Sequence, residues 1–128
     1  MFEMLRYKYH TNNYFSGVKV IIKNSKVPKY LSIVIDVYAI ALWPFIFISD
    51  EGDPMTFNHE KIHLRQQVEL LIVGFYLLYA LFWLKGFVKH RDRHRAYFEI
   101  PFEKEAYARQ DDFNYLTKRQ YFSWINYL

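Results

Sequence analysis

The chain has 128 residues, which favours one domain of ordinary size and leaves little room for a two-domain enzyme. Apolar residues make up 52% and charged residues 23%, so there is material for a core and global disorder is excluded. Cys is absent, which rules out disulfides, a thiolate nucleophile and Cys-type zinc sites, so any metal must be held by His, Asp and Glu.

The formal charge of +4 falls into blocks: +5 over residues 1–30, −4 over 31–58, zero over 59–84, +4 over 85–95 and −1 over 96–128. Each basic block borders an apolar segment, the arrangement that lets Lys and Arg meet anionic lipid headgroups. Nucleic acid is the weaker explanation, since no helix-turn-helix, zinc-finger or RNP-type pattern is present. Twelve Phe, twelve Tyr and three Trp make 21% of the chain aromatic, which points to a thick core, a membrane interface, or both.

Residues 1–30 lack the apolar stretch and small-residue cleavage site of a secretory signal, so the amino terminus is expected to belong to the mature protein. Residues 18–22 (VKVII) read as a short strand, and Lys23 to Lys29 with Pro28 as a turn. Residues 31–48 (LSIVIDVYAIALWPFIFI) are rich in β-branched and aromatic residues and read as strand. Pro44 confines the second half to an edge strand or a bulge, because Pro cannot donate to a ladder. A membrane helix containing Asp36 and Pro44 is the alternative. The acidic turn SDEGDP (49–54) follows.

From Thr56 the pattern is helical, with Asn58 or Thr56 as cap, no Pro to Leu84, and Gly86 with the basic block as a stop. A helix over about 58–84 would be roughly 40 Å long. Its first half is polar and amphipathic, whereas residues 70–84 (LLIVGFYLLYALFWL) are fifteen consecutive apolar residues. Fifteen residues cover about 22 Å, short of the ~30 Å hydrocarbon core, so the membrane reading is an embedded, tilted or half-inserted helix with Lys85 and Lys89 snorkelling. Tyr76, Tyr79 and Trp83 would suit the interface. The soluble alternative buries this helix at the centre of the domain. Around Pro101 another helix begins, with Glu103 and Glu105 near its positive end. The aromatic tail 117–128 is expected to dock back on the fold or on lipid.

His59, Glu60, Lys61, Ile62 and His63 form an HExxH sequence at the head of the predicted helix. Residues four apart lie about 40° apart in projection, so both imidazoles face one side and can share one metal ion. Glu60, rotated by about 100° from its neighbour, can instead hydrogen-bond an activated water and accept its proton. Two His and one carboxylate leave zinc an open position, the condition for a catalytic site. The preceding edge strand is what a peptidase needs if it binds an extended substrate by strand addition.

The metzincin extension would require Gly and His where this chain has Gln66 and Glu69. Without Gly the helix is expected to continue and to carry Glu69 away from the metal. The third ligand should come from the second helix, where Glu99, Glu103 and Glu105 are available. Weaker assignments are Gln66, within about 20° of His59 in projection, as support for the site; Tyr107 or Tyr97 stabilising an oxyanion; and Arg109 beside Glu60 or a substrate carboxylate. His90 and His94, a second pair at helical spacing, read as interfacial basic residues, because the surrounding Arg cluster would repel a dication.

NHEKIHLRQQ (58–67) followed by PFEKEAYARQ (101–110) resembles the gluzincin branch of zincin metallopeptidases, especially small bacterial proteins with a minimal version of that core. The resemblance covers roughly residues 39–112. It implies that Glu105, the carboxylate before Ala in an ExEA-type helix, is the third zinc ligand beside His59 and His63. It also implies that Glu60 is the general base and that AIALWPFIFI is the sheet edge beside the cleft. The chain departs from the family in having no separate substrate-recognition domain and in running its active helix into an apolar segment.

The expected fold is therefore α+β: one zincin-like domain over 1–128, with a small, mostly antiparallel sheet on a long active-site helix and a second ligand-bearing helix. The expected function is a membrane-associated zinc metallopeptidase, sited at the bacterial inner membrane or otherwise cytoplasmic. Its partners would be a peptide or protein substrate, lipid, and a protein or second copy completing the cleft. The alternative is a membrane-anchored scaffold whose metal site is vestigial or structural.

Overall fold

A computed structural model describes residues 20–31, 38–49 and 52–128. Val18 and Lys19 of the expected first strand, residues 32–37 of the β-rich segment, and Asp50 and Glu51 of the acidic turn lie outside the described residues. The architecture is α+β. In chain order the elements are β1 (Val20–Ile22), α1 (Val27–Leu31), β2 (Ala39–Leu42), β3 (Phe45–Ile48), α2 (Pro54–Glu69), α3 (Val73–His90), α4 (Arg93–Phe98), α5 (Pro101–Arg109) and α6 (Tyr115–Lys118), closed by a 3-10 helix at Ser123–Tyr127. The stretch read as a turn around Pro28 thus contains the short helix α1.

The sheet has the order β1-β3-β2 and is mixed rather than mostly antiparallel. β2 runs antiparallel to β3 with Ala41 opposite Ile46, whereas β1 runs parallel to β3 with Ile21 opposite Ile46. Chain length explains the difference. Two residues suffice to reverse the chain between β2 and β3, but a parallel pair needs a longer crossover, supplied here by residues 23–44. Trp43 and Pro44, joined by a cis peptide, form that tight reversal. Pro44 therefore precedes β3 instead of interrupting it, and β3 is the central strand, not the expected edge. Ile46 and Ile48 are fully buried beneath α2.

α2 begins four residues earlier than expected from Asn58. Asp53 is its N-cap, with Oδ1 accepting from Thr56 N–H at 2.9 Å, and Pro54 opens the first turn where its missing N–H costs nothing. Gly52 just before it has φ +70°, and a side chain there would meet Ile48 and Phe57.

The expected helix over 58–84 is broken. α2 ends at Glu69, and α3 leaves at 112° to it. Leu71 has φ 56°, and Ile72, at φ 64° and ψ −63°, is the centre of a tight γ-turn closed by Val73 N–H on the Leu71 carbonyl at 2.7 Å, a strained conformation for residues with a side chain. Ile72 N–H bonding to the Gln67 carbonyl at 2.6 Å and Leu70 packing against the core cluster that contains Phe75 offset this strain. The apolar run is then half covered rather than buried all round. Phe75 lies in a cluster with Tyr97, Ile100, Phe102 and Trp124, onto which Leu78, Tyr79, Phe82 and Trp83 pack, while Leu77 and Leu81 are exposed. No single helix among the described residues is long and apolar enough to cross a membrane.

Gly86 lies inside α3, not at its end, and the helix stops at Arg91, whose φ is 56° and whose N–H bonds to the Phe87 carbonyl. A β-carbon on Gly86 would stand 2.9 Å from Ala96 Cα, so the glycine is what lets α4 lie against α3. Gly86→Ala is expected to lower the unfolding free energy by about 1–2 kcal/mol despite its better helix propensity. Chemical denaturation of both proteins measures it, and a more stable variant would mean that α4 can back away freely.

Candidate metal centre

Two helices build the site. α2 places His59 and His63 on one face, one turn apart, and α5 lies across that face. Asn58, expected as a cap, is instead the dowel between them: its Nδ2 donates to the carbonyls of Gln110 at 2.9 Å and Asp112 at 3.1 Å, satisfying acceptors that the end of α5 leaves unpaired. Ile62, Ala106 and Tyr115 fill the space alongside.

The two imidazoles converge with Glu103. His59 Nε2 stands 3.1 Å from His63 Nε2 and 3.2 Å from Glu103 Oε2, and His63 Nε2 is 3.2 Å from Glu103 Oε1. Three donors on a tetrahedral zinc with bonds of about 2.0–2.1 Å are separated by about 3.3–3.4 Å, so the donor set fits the ion. His59, His63 and Glu103 are all buried. Two lone-pair nitrogens facing each other with a carboxylate require a cation between them, whether proton or metal.

Hydrogen bonding fixes which nitrogen of His63 bears the lone pair. Gln66 Nε2 donates to Glu105 Oε2 at 2.8 Å and to the Phe102 carbonyl at 3.2 Å, both of them acceptors. Its Oε1 must then face His63 and accept from Nδ1 at 2.8 Å, which leaves Nε2 directed into the site. Gln110 Oε1 does the same for His59, accepting from Nδ1 at 3.1 Å. Glu103 is held just as firmly. Oε1 accepts from Tyr79 hydroxyl and Oε2 from Tyr97 hydroxyl, each at 2.9 Å.

Glu105 is not with the imidazoles. Two residues apart on a helix is a rotation of about 200°, so Glu103 and Glu105 leave α5 on different sides. Glu105 meets Arg119, with Nη2 donating to Oε2 at 3.1 Å, and Tyr115, whose hydroxyl donates to Oε1 at 2.8 Å. Arg119 also pairs with Glu69, whose carboxylate accepts from Phe122 N–H at 3.1 Å. Glu105, expected as the third ligand, therefore meets the site only through Gln66, and Glu103 is the carboxylate that with the two imidazoles could hold a metal ion. Gln66 stands between His63 and Glu105 and is hydrogen-bonded to both.

Other assignments shift as well. Arg109 is far from Glu60 in its contacts: its Nε donates to Tyr127 hydroxyl at 3.1 Å and its guanidinium lies over the Tyr115 ring. Tyr107 stacks edge-on to His59 at 4.5 Å between centroids, and its hydroxyl meets that of Tyr97 at 3.2 Å. Tyr79 points into the site, not to an interface. His90 pairs with Glu99 at 2.7 Å, which removes Glu99 from the candidate ligands.

Glu60 is buried beside the cluster. Desolvation raises its pKa against the lowering influence of His63, His59 and a bond from the Ala41 N–H. Burial also opposes ionisation of Glu103, but the two imidazoles outweigh it and hold its pKa below the carboxylate range. For His63, burial opposes the charge, yet Glu103, Glu60 and Gln66 win and push its pKa up to about 9. β2 lies against this face of α2 as the expected sheet edge. Gln67 Nε2 donates to the Ala41 carbonyl at 2.7 Å, and its Oε1 accepts from Trp43 N–H at 2.8 Å.

Comparison of the chain with protein-family models, curated proteins and solved structures finds no match. The site must be read from its own chemistry.

Two measurements test that reading. Below its pKa His63 carries a proton that a metal must displace, and above it the lone pair is available. Zinc affinity is therefore expected to rise about tenfold per pH unit from about 7 toward about 9 and then level, with about one proton released per zinc, as titration calorimetry in several buffers would show. A flat profile would contradict it. Glu103→Ala should abolish stoichiometric zinc, whereas Glu105→Gln should retain it with an affinity weakened about 10–100-fold. The reverse order would restore Glu105 as ligand.

Proposed function

We propose that the chain is a zinc-dependent peptide hydrolase in which His59, His63 and Glu103 hold the metal and Glu60 is the general base. The observation that carries this reading is the convergence of two Nε2 atoms from α2 and a doubly hydrogen-bonded carboxylate from α5 on one point, beside a second, desolvated carboxylate on α2. Bound there, zinc would polarise a substrate carbonyl and acidify a water.

The chain's own groups divide the remaining work. The environments of the two carboxylates push their pKa values apart, Glu103 down and Glu60 up, and such a pair separates an anion that stays ionised from one that exchanges protons. Glu60 takes a proton from the attacking water at a carboxylate oxygen and passes it to the leaving amine nitrogen. The Ala41 N–H keeps that carboxylate oriented. Tyr79 and Tyr97 are already committed to Glu103, so they position the ligand. Tyr107 reaches solvent from its place on His59 and is the phenol available to a developing oxyanion.

The burial of His59, Glu60, His63 and Glu103 favours a second reading, a metal that holds the fold of a non-catalytic scaffold protein. One variant separates the two. Glu60→Gln is expected to keep stoichiometric zinc and lose at least about 100-fold in hydrolysis of a mixed peptide library. Zinc-loaded wild type that cleaves nothing, with a fold that melts on chelation, would establish the structural reading instead.

A further inference from the structure

The inner and outer faces of α3 are occupied very differently. The inner face carries Phe75 and Tyr79, which cover His63 and bond Glu103. The outer face carries Val73, Leu77, Leu81, Leu84 and Val88, each more than half exposed. Their spacing of four, four, three and four residues makes one continuous stripe, roughly 22 Å long from Val73 to Val88. α3 contains no acidic residue. At its carboxyl-terminal end the stripe runs into exposed Lys85, Lys89, Arg91 and Arg95.

We infer that this face docks α3 in the plane of an anionic lipid surface, with the apolar stripe in the acyl boundary and the basic end among the headgroups. Charge selects the partner. A second copy would bring the same apolar stripe with no carboxylate on α3 to meet the basic end, and residues 1–19 of the chain, with Arg6, Lys8 and Lys19 against Glu3, are themselves basic. A membrane with acidic headgroups satisfies both halves of the face at once. Helix α3 rests in the interface and does not span it, because its other side is committed to the core. The His59–His63–Glu103 cluster then lies within about one helix diameter, ~10 Å, of the lipid. Together with the hydrolase reading, on which this last step rests, the substrates are polypeptide segments lying at or emerging from the bilayer surface.

Flotation of the full-length protein with vesicles of phosphatidylcholine, with and without phosphatidylglycerol, tests the docking independently of zinc chemistry. Wild type and Glu60→Gln should float equally with the anionic vesicles. Leu77→Gln/Leu81→Gln, which changes only exposed positions, should keep its zinc and its circular dichroism and lose binding by at least about tenfold. Lys85→Glu/Lys89→Glu should lose the preference for phosphatidylglycerol. Binding unchanged by the Leu variant would overturn the proposal, as would wild type that ignores vesicles, whether it is monomeric in solution or a dimer that the Leu variant splits. If binding holds, a peptide carrying an acyl anchor should be cleaved faster than its free form only by proteins that float; vesicle binding without that preference would retain the docking and reject the substrate class.

Discussion

The amide of Gln66 can sit only one way round, because a carboxylate and a main-chain carbonyl occupy its donor side. Its oxygen is thereby aimed at His63 Nδ1, and the lone pair of that imidazole is forced toward Glu103. A chain of support runs outward from this point. Glu105 holds Gln66, Arg119 holds Glu105, and Arg119 belongs to a carboxyl-terminal segment anchored by Trp124 against Phe102. Arg119, fifty positions beyond the end of the HExxH helix, thus helps to decide the tautomer of one of its imidazoles. Breaking a buried pair of this kind typically costs about 3–5 kcal/mol, because a charge is left without its partner.

The same interior is short of positive charge. Glu60, Glu69, Glu103 and Glu105 have buried carboxyl groups, and among the described residues Arg119 is the fully buried guanidinium that meets them, with the part-exposed Arg65 reaching Glu69 from outside. Burying carboxylates is tolerable only when each is paired or hydrogen-bonded. Arg119 serves Glu69 and Glu105, whereas Glu103 and Glu60 lean on the imidazoles. The cluster therefore favours binding a dication or holding protons well above the ordinary His range, and the raised pKa of His63 and the metal fit are two expressions of one deficit.

Much of this was legible in the sequence, and the misses have physical causes. HExxH placed two imidazoles on one helical face because i, i+4 spacing leaves no other arrangement once the segment is helical. Asp53 followed by Pro54 is a readable start signal, but Thr56 and Asn58 offer the same capping chemistry nearby; Thr56 is the residue that Asp53 caps, and the Asn58 amide is used on α5. Glu103 and Glu105 could not be separated, since the face that a nine-residue helix turns inward depends on how Phe102 and Ala106 pack. The break after Glu69 left no mark. Leu70, Leu71 and Ile72 are ordinary helix-compatible residues, and the strained turn they make is offset by a backbone bond to Gln67 together with tertiary packing. Tyr79 was assigned to an interface because its neighbours are apolar, and nothing local reveals that its hydroxyl meets a carboxylate. Arg119 was hidden in a tail that reads only as aromatic.

The pairing of Gln67 with β2 bears on how the open edge of that strand could grip a chain. In an antiparallel ladder a residue presents both its N–H and its C=O to one neighbour, and those of Ala41 point away from β3. Gln67 and Glu60 already engage them. An extended peptide laid along that edge would forgo the bonds at Ala41 and begin its main-chain register at Ala39. With each net hydrogen bond worth about 1 kcal/mol, losing two costs roughly thirtyfold in affinity. Grip would pass from backbone, which is indifferent to sequence, to side chains, which are not. A fold this small would thereby favour selectivity at the expense of general avidity.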